Sequence, residues 1–149
     1  MPLTPAERAA HALRVKAPEI ADGAVAALYR LRPGLDGRYG DSGRRHCARD
    51  LGYHLRFLAA AVEMSDARVF ADYAAWAARV MVTHRVAPED AMASFRCLLD
   101  VAPAAVPRES AGGVRDVIAG AVARVESNPP PARVSRRLGV PRPTHAHSN

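Results

Sequence analysis

Short breaks divide this chain into segments whose apolar residues recur at intervals of three and four. The clearest segment follows Ser65-Asp66, and its apolar positions are Val69, Phe70, Tyr73, Trp76, Ala77, Val80 and Met81. No segment shows the apolar–polar alternation of a half-buried strand. Aromatic residues make up only 5% of the chain, and alanine is the commonest of its apolar residues. This combination predicts an all-α domain of about six closely packed helices.

Residue types at the breaks indicate where several helices begin and end. Thr4-Pro5-Ala6-Glu7 has the composition of a capping box, and the first helix is expected to run to about Val15. A second helix should end at Arg32-Pro33-Gly34, and the Gly-rich stretch from Pro33 to Gly43 predicts a loop. Further helices are expected from Arg44 to about Met64, from Ser65-Asp66 to Val86, from Pro88 through Leu99, and from Glu109 or Ser110 to Val125.

After Asn128 the sequence changes to Pro129-Pro130-Pro131 and a basic stretch with little to bury. We therefore expect one domain over residues 1–127 and a disordered basic tail over residues 128–149. The net charge of +6 owes much to arginines of this tail, where no acid offsets them, so a nucleic-acid partner is disfavoured. The chain has neither the apolar run of a membrane span nor the pattern of a signal peptide, which predicts a cytoplasmic protein without a membrane partner.

One stretch carries most of the chemistry, the run from Cys47 to Phe57. Cys47, Asp50 and His54 follow one another at intervals of three and four, so they share one face of a helix. The thiol can form a thioether, and the carboxylate can accept hydrogen bonds from pyrrole N–H groups. This set suits a tetrapyrrole ligand better than a bond-cleaving reaction, and no catalytic triad, phosphate-binding glycine loop or carboxylate pair is visible, so a non-enzymatic protein is predicted.

The run Cys47-Ala48-Arg49-Asp50-Leu51-Gly52-Tyr53-His54-Leu55-Arg56 closely resembles the chromophore helix of phycobiliproteins, above all of their α-type subunits. The similarity covers roughly Arg44 to Glu126. It implies a globin-like fold with a pocket between the helix of Cys47 and the helix of Trp76. Carried over by position, it implies a bilin ligand whose thioether forms at Cys47.

In the same resemblance, Asp50 would accept hydrogen bonds from the pyrrole nitrogens, and Arg49 would pair with a propionate. Tyr53, Tyr73 and Trp76 could wall the pocket and stack on the pigment, although an aromatic stripe at helical spacing also suits a plain core. Covalent attachment and non-covalent binding of the bilin are both left open.

Two departures from the family pattern shape the functional hypothesis. Only 46 residues precede Cys47, which is too few for the full N-terminal region of the family, so light-harvesting assembly is disfavoured. In size the chain is closer to bilin-biosynthesis-associated globins. We therefore expect a free-standing or homo-oligomeric protein that carries or senses the pigment, with haem oxygenase or bilin-forming enzymes as partners.

Alternatives remain for the same residues. His54 could ligate haem iron, with His84 as a competing ligand, or it could be an ordinary hydrogen-bonded helix histidine. A ligand-free interaction module whose pocket has closed is another alternative, supported by bulky Trp76 and the tail, and haem-dependent oxygen chemistry is a third. Cys97 is interpreted as a structural residue in the middle of a helix, and Glu89-Asp90 as a helix start only.

Overall fold

The computed structural model describes residues 1–131, and those residues form an all-α domain, as predicted. It contains a 3₁₀ turn at Pro103–Ala105 and the helices α1 (Pro5–Val15), α2 (Ala17–Leu31), α3 (Leu35–Glu63), α4 (Ala67–Thr83), α5 (Pro88–Arg96), α6 (Leu98–Val101) and α7 (Arg108–Ser127). Within residues 1–131, none of these helices combines the length and apolarity that a bilayer crossing requires.

Helix starts follow from local side-chain chemistry. The Thr4 hydroxyl accepts from the Glu7 amide at 3.1 Å, and the Glu7 carboxylate accepts from the Thr4 amide at 3.2 Å, which confirms the capping box. Asp66 caps α4 by accepting from the Arg68 amide at 3.0 Å. These caps satisfy amide groups that a helix leaves without partners in its first turn.

The loop predicted from Pro33 to Gly43 is wrong for most of its length, because α3 already begins at Leu35. The helix is broken only at Gly40, where φ is +66° and ψ is −165°, a conformation that side chains exclude. Gly43 serves a close approach, since a Cβ atom there would lie 2.6 Å from Cβ of Tyr39. The glycines therefore make a sharp bend between two helical pieces where a loop was expected.

The prediction of one continuous helix from Pro88 through Leu99 also fails in detail. The helix is interrupted at Cys97, between α5 and α6, so Cys97 lies at the junction of two short helices where a mid-helix position was expected, although its backbone angles stay helical. The Cys97 side chain is buried and its thiol donates to the Ser94 carbonyl at 3.2 Å. Burial raises the pKa of Cys97 to about 12, which keeps the thiol neutral and unreactive.

Helix α3 runs through the middle of the fold. It packs on α1 and α2 along one side and on α4 along the other, while α7 lies across α4. The shared core is aliphatic with a few aromatic rings, and its largest fully buried apolar residues are Phe70, Phe95, Leu13, Leu51, Leu55, Leu58, Leu98 and Ile118. Helix α7 ends at Ser127, and the tail residues 132–149 lie outside the described part of the chain, so the predicted division into a domain and a disordered tail stays a prediction.

Candidate functional site

A cavity of about 420 Å³ lies where α3, α4 and α5 meet the end of α2. We call it the α3–α4 cavity. It is lined by Leu28, Tyr29, Leu35, Tyr39, Gly43, His46, Cys47, Arg49, Asp50, Val80, Met81, His84, Val86, Asp90 and Ser94. Its size falls within the roughly 300–1,000 Å³ of small-molecule sites, and its apolar walls with a few polar groups are typical of them.

Cys47 and Asp50 reach this cavity together because three residues are close to one helical turn. Both side chains are half-buried. Within residues 1–131, the Asp50 carboxylate makes neither a hydrogen bond nor an ion pair. Burial raises the pKa of Asp50, an effect that the charges of Arg49, His46 and His84 only partly oppose. Asp50 is therefore an acceptor to which residues 1–131 offer no donor, and a ligand carrying N–H groups could supply one.

The Cys47 thiol is kept neutral by its surroundings. Burial, followed by the negative charge of Asp50, raises the pKa of Cys47 to about 11. Since the thiolate is the attacking species, Cys47 is a weak nucleophile at neutral pH until a ligand or another protein changes its environment.

Arg49 lies between two concave surfaces. It lines the α3–α4 cavity and also a trough of about 830 Å³ between the α1–α2 corner and α3. Its side chain is exposed, and in the described part of the chain its guanidinium has no carboxylate partner. Arg49 can therefore turn toward a carboxylate at the rim of the cavity.

His54 is in a different environment, although it is only one turn beyond Asp50. Its side chain is 1% exposed, with Nδ1 at 2.7 Å from the Tyr73 hydroxyl and Nε2 at 3.1 Å from the Ser94 hydroxyl. The imidazole also stacks on Phe95, with 4.1 Å between ring centroids. Burial lowers the pKa of His54 to about 3, so the ring is neutral.

The hydrogen bonds assign the tautomer of His54. The Ser94 hydroxyl lies 2.6 Å from the Ala91 carbonyl and donates to it, so it accepts the proton of Nε2. Nδ1 then accepts from the Tyr73 hydroxyl. Both ring nitrogens are therefore engaged inside the core, and His54 does not line the cavity. This geometry matches the alternative that His54 is an ordinary hydrogen-bonded helix histidine, and it gives no support to the hypothesis that His54 ligates haem iron.

The three aromatic residues of the sequence hypothesis lie in three different places. Tyr73 is buried and hydrogen-bonds to His54. Trp76 is 55% exposed. Tyr53 is 47% exposed and lines the trough between the α1–α2 corner and α3. Phe57, which sequence reasoning did not select, stacks face to face on Tyr73 at 4.1 Å between centroids. Phe57, Tyr73 and Trp76 are named here the aromatic ridge, because the ring of Tyr73 contacts both of the others. Trp76 does not fill the α3–α4 cavity, so it does not close the pocket.

The ridge continues the line of the cavity. Helices α3 and α4 are antiparallel. Asp50 lies near His84 at the end of α4, and Phe57, further along α3, stacks on Tyr73, which comes earlier in α4. From Cys47 to Phe57 the distance along the helix axis is about 15 Å. An elongated ligand held at Cys47 and Asp50 could therefore extend over the ridge.

Sequence reasoning missed the polar cluster around Asp90, which lines the cavity. Asp90 is 4% exposed, and its carboxylate accepts from Tyr39 at 2.6 Å, from Arg32 at 2.7 Å and from Arg38 at 3.1 and 3.2 Å. Burial raises the pKa of Asp90, but the hydrogen bonds from Tyr39, Arg38 and Arg32 outweigh it and leave that pKa below its usual value. The interpretation of Glu89-Asp90 as a helix start only is therefore wrong for Asp90. No local signal could reveal it, because the three partners lie 51 to 58 residues away.

Within residues 1–131, no three side chains among His, Cys, Asp and Glu converge closely enough to hold a metal ion. Comparison with protein families gives one result that bears on these observations. The family model described as "Phycobilisome protein" matches residues 5–125, which is most of the chain and includes every helix that lines the cavity. A search of curated proteins finds no significant match.

Proposed function

The chain belongs to the phycobilisome protein family, and on that premise we propose that it binds a linear tetrapyrrole in the α3–α4 cavity. The family is globin-like and all-α, and its members carry covalently bound bilins, so membership suggests a bilin-binding protein. The observation that carries the proposal for this chain is the half-buried carboxylate of Asp50, which has no partner within residues 1–131 and lies beside the thiol of Cys47.

Asp50 is proposed to accept hydrogen bonds from pyrrole N–H groups. A half-buried carboxylate without donors is costly, and two or three N–H groups of a tetrapyrrole would remove that cost. A carboxylate at this position also favours a cationic ring system, because an opposite charge nearby stabilises the protonated pigment. Asp50 would thus both hold the pigment and set its protonation state.

Arg49 is proposed to bind a propionate of the pigment at the rim of the cavity. Its exposed guanidinium has no carboxylate partner within residues 1–131 and lies one residue before Asp50. The aromatic ridge is proposed as the surface on which the outer rings stack, since Trp76 and Phe57 present exposed faces. His54 contributes indirectly, because it holds Tyr73 of the ridge in place.

Cys47 is proposed as the site of a thioether. The thiol would add across an alkene substituent of the tetrapyrrole: an S–C bond forms, the C=C π bond breaks, and the thiol proton ends on the neighbouring carbon. The step needs no oxidant or reductant. Because burial keeps the pKa of Cys47 at about 11, spontaneous addition should be slow at pH 7 and should speed up about tenfold per pH unit toward that value.

The biological role proposed is carriage or sensing of the pigment by a protein that is not an enzyme. Members of the family are structural light-harvesting proteins that form oligomers, which supports a homo-oligomer for this chain. Exchange of pigment with haem oxygenase or with bilin-forming enzymes would follow from a carrier role.

Absorbance spectra of the purified protein test the proposal. The chain is co-expressed with a haem oxygenase that supplies biliverdin, and in a separate sample it is incubated with haemin. A red-absorbing pigment that co-purifies, and that Asp50→Asn weakens, supports the proposal. Zinc-induced fluorescence on a denaturing gel shows whether the pigment is covalently attached to the chain. A Soret band lost in His54→Ala would instead favour haem, and no pigment in either sample would favour a ligand-free interaction module.

A further inference from the structure

The segment Leu35–Tyr39 covers one end of the α3–α4 cavity. Its residues Leu35 and Tyr39 line that cavity, together with Gly43 beyond the bend. The segment is a short helical piece between Pro33-Gly34 on one side and Gly40 on the other. Gly40 adopts φ +66° and ψ −165°, so the direction of the chain changes at this single residue.

Three side chains of the segment, Tyr39, Arg38 and Asp36, hold it in this position. The Tyr39 hydroxyl donates to Asp90 at 2.6 Å and accepts from the Ala87 amide at 2.9 Å. Arg38 donates to both carboxylate oxygens of Asp90. The exposed pair of Asp36 and Arg44, at 3.3 Å, spans the bend and adds little because solvent screens it.

The chain on either side of these links is rich in glycine and lightly packed. Gly34, Gly37, Gly40 and Gly43 recur every third residue, and at Gly37 and Gly40 no atom lies within 4 Å of the place where a Cβ would stand. Only Leu35 of the segment is fully buried, whereas Asp36, Gly37 and Arg38 are exposed. A segment with few buried groups and glycines at its turns belongs to the low-stability end of a structure.

We propose that Leu35–Tyr39 is a lid on the ligand cavity, with Gly40 as its hinge and the contacts of Tyr39 and Arg38 with Asp90 as its latch. This inference depends on the proposed function for the identity of the ligand. The lid opens by breaking the latch, and a tetrapyrrole enters and leaves through that opening. Asp90 is a positioning residue, because it acts on the pigment only through Tyr39 and Arg38.

Amide hydrogen exchange of the ligand-free chain tests the lid without any pigment. Tyr39→Phe and Arg38→Gln should raise exchange of residues 35–42 by about ten- to a hundredfold, as expected for the loss of a hydrogen bond to a charged group. Arg30→Gln is the matched control, because Arg30 is an exposed arginine of α2 without a link to Asp90. Exchange in α7 serves as the internal reference for global stability.

Two glycine-to-alanine substitutions, one at the hinge and one as its control, test the role of Gly40. Gly40→Ala should raise exchange of the same residues several-fold, because alanine disfavours the backbone conformation at residue 40. Gly37→Ala lies in the same lid with open space around it and a helical backbone, so it should not raise exchange.

Stopped-flow binding of biliverdin then tests the gate. Measurements in the Cys47→Ala background keep binding reversible, and there Tyr39→Phe should speed both association and dissociation by about tenfold. The lid proposal would be overturned if Tyr39→Phe and Arg38→Gln left hydrogen exchange of residues 35–42 unchanged. It would also be overturned if exchange rose but the association and dissociation rates of biliverdin stayed the same. If biliverdin binds to no form of the chain, the proposed function fails and with it the gating role, whereas the exchange data alone decide whether the segment is latched by Asp90.

Discussion

Two polar groups on neighbouring turns of α3 have opposite environments. Asp50 lines a cavity, is half-buried and has no partner among residues 1–131, whereas His54 is fully buried with both nitrogens hydrogen-bonded. Both look equally suited to ligand binding in the sequence, since they share one helix face with Cys47. The comparison teaches that an unsatisfied group at a cavity remains available to a ligand, while a satisfied group belongs to the core.

The largest effect on pigment binding is expected from a substitution at the cavity, where Cys47 lies beside Asp50. Cys47→Ala is expected to abolish gel-stable pigment completely, because no other thiol lines the cavity. Cys97→Ala should retain it, since the Cys97 thiol is buried at the junction of α5 and α6 and does not line the cavity. Zinc-induced fluorescence on denaturing gels measures both, and covalent pigment persisting in Cys47→Ala would disprove the assigned attachment site.

On the core side, His54→Ala should lower the free energy of unfolding by about 2–4 kcal/mol. The change removes the stack on Phe95 and leaves the hydroxyls of Tyr73 and Ser94 without their imidazole partner. His84→Ala, at an exposed histidine on the rim of the cavity, should change stability by less than about 0.5 kcal/mol. Urea denaturation at pH 7 distinguishes the two, and equal stabilities would contradict a structural role for His54.

The same buried imidazole should make stability depend on pH. The pKa of His54 falls from 6.5 to about 3 on folding, so between these values the unfolded chain binds the additional proton. Stability contributed by neutral His54 is therefore complete above pH 6.5 and is lost as pH falls toward 3, with a limiting slope of about 1.4 kcal/mol per pH unit. His54→Gln should flatten the profile measured by urea denaturation between pH 6 and pH 4. An unaltered slope would mean that His54 is not the group that titrates.

Asp50→Asn should separate binding from stability. The raised pKa of Asp50 means that its charge is disfavoured in the folded state, so removing the charge should increase stability at pH 7 by less than about 1 kcal/mol. Affinity for biliverdin should fall about tenfold, as an acceptor of charge-assisted hydrogen bonds is lost. Denaturation and absorbance titration of one preparation check both, and a large loss of stability would place Asp50 with the core.

The smallest effect is expected at the rim. Arg49→Ala should weaken binding of biliverdin about two- to fivefold, because a solvated ion pair with a propionate contributes under about 1 kcal/mol. The effect should shrink at high salt, since ions screen exposed charges. Arg45→Ala, at an exposed arginine that does not line the cavity, is the control and should bind as the unchanged chain does. Equal affinities for Arg49→Ala and Arg45→Ala would remove Arg49 from the site.

The sequence by itself determined the all-α fold and most helix boundaries, and it indicated the family of the chain. Helix boundaries such as the Thr4 capping box and the Asp66 cap depend on residues within one turn, and local chemistry is therefore sufficient to predict them. The pairing of Cys47 with Asp50 on one face also follows from helical spacing alone. The glycines from Gly34 to Gly43 misled the prediction, because the same residues suit a loop and a bend with close backbone approach.

Only the tertiary structure decided which polar groups are satisfied. His54 depends on Tyr73 and Ser94, which lie 19 and 40 residues away, and Asp90 depends on partners 51 to 58 residues away. Spacing along one helix cannot predict such partners, since they arrive from other helices when the core closes. That packing leaves Cys47 and Asp50 open to a ligand, encloses His54, and converts an apparent helix start at Asp90 into a hydrogen-bonded part of the cavity lining.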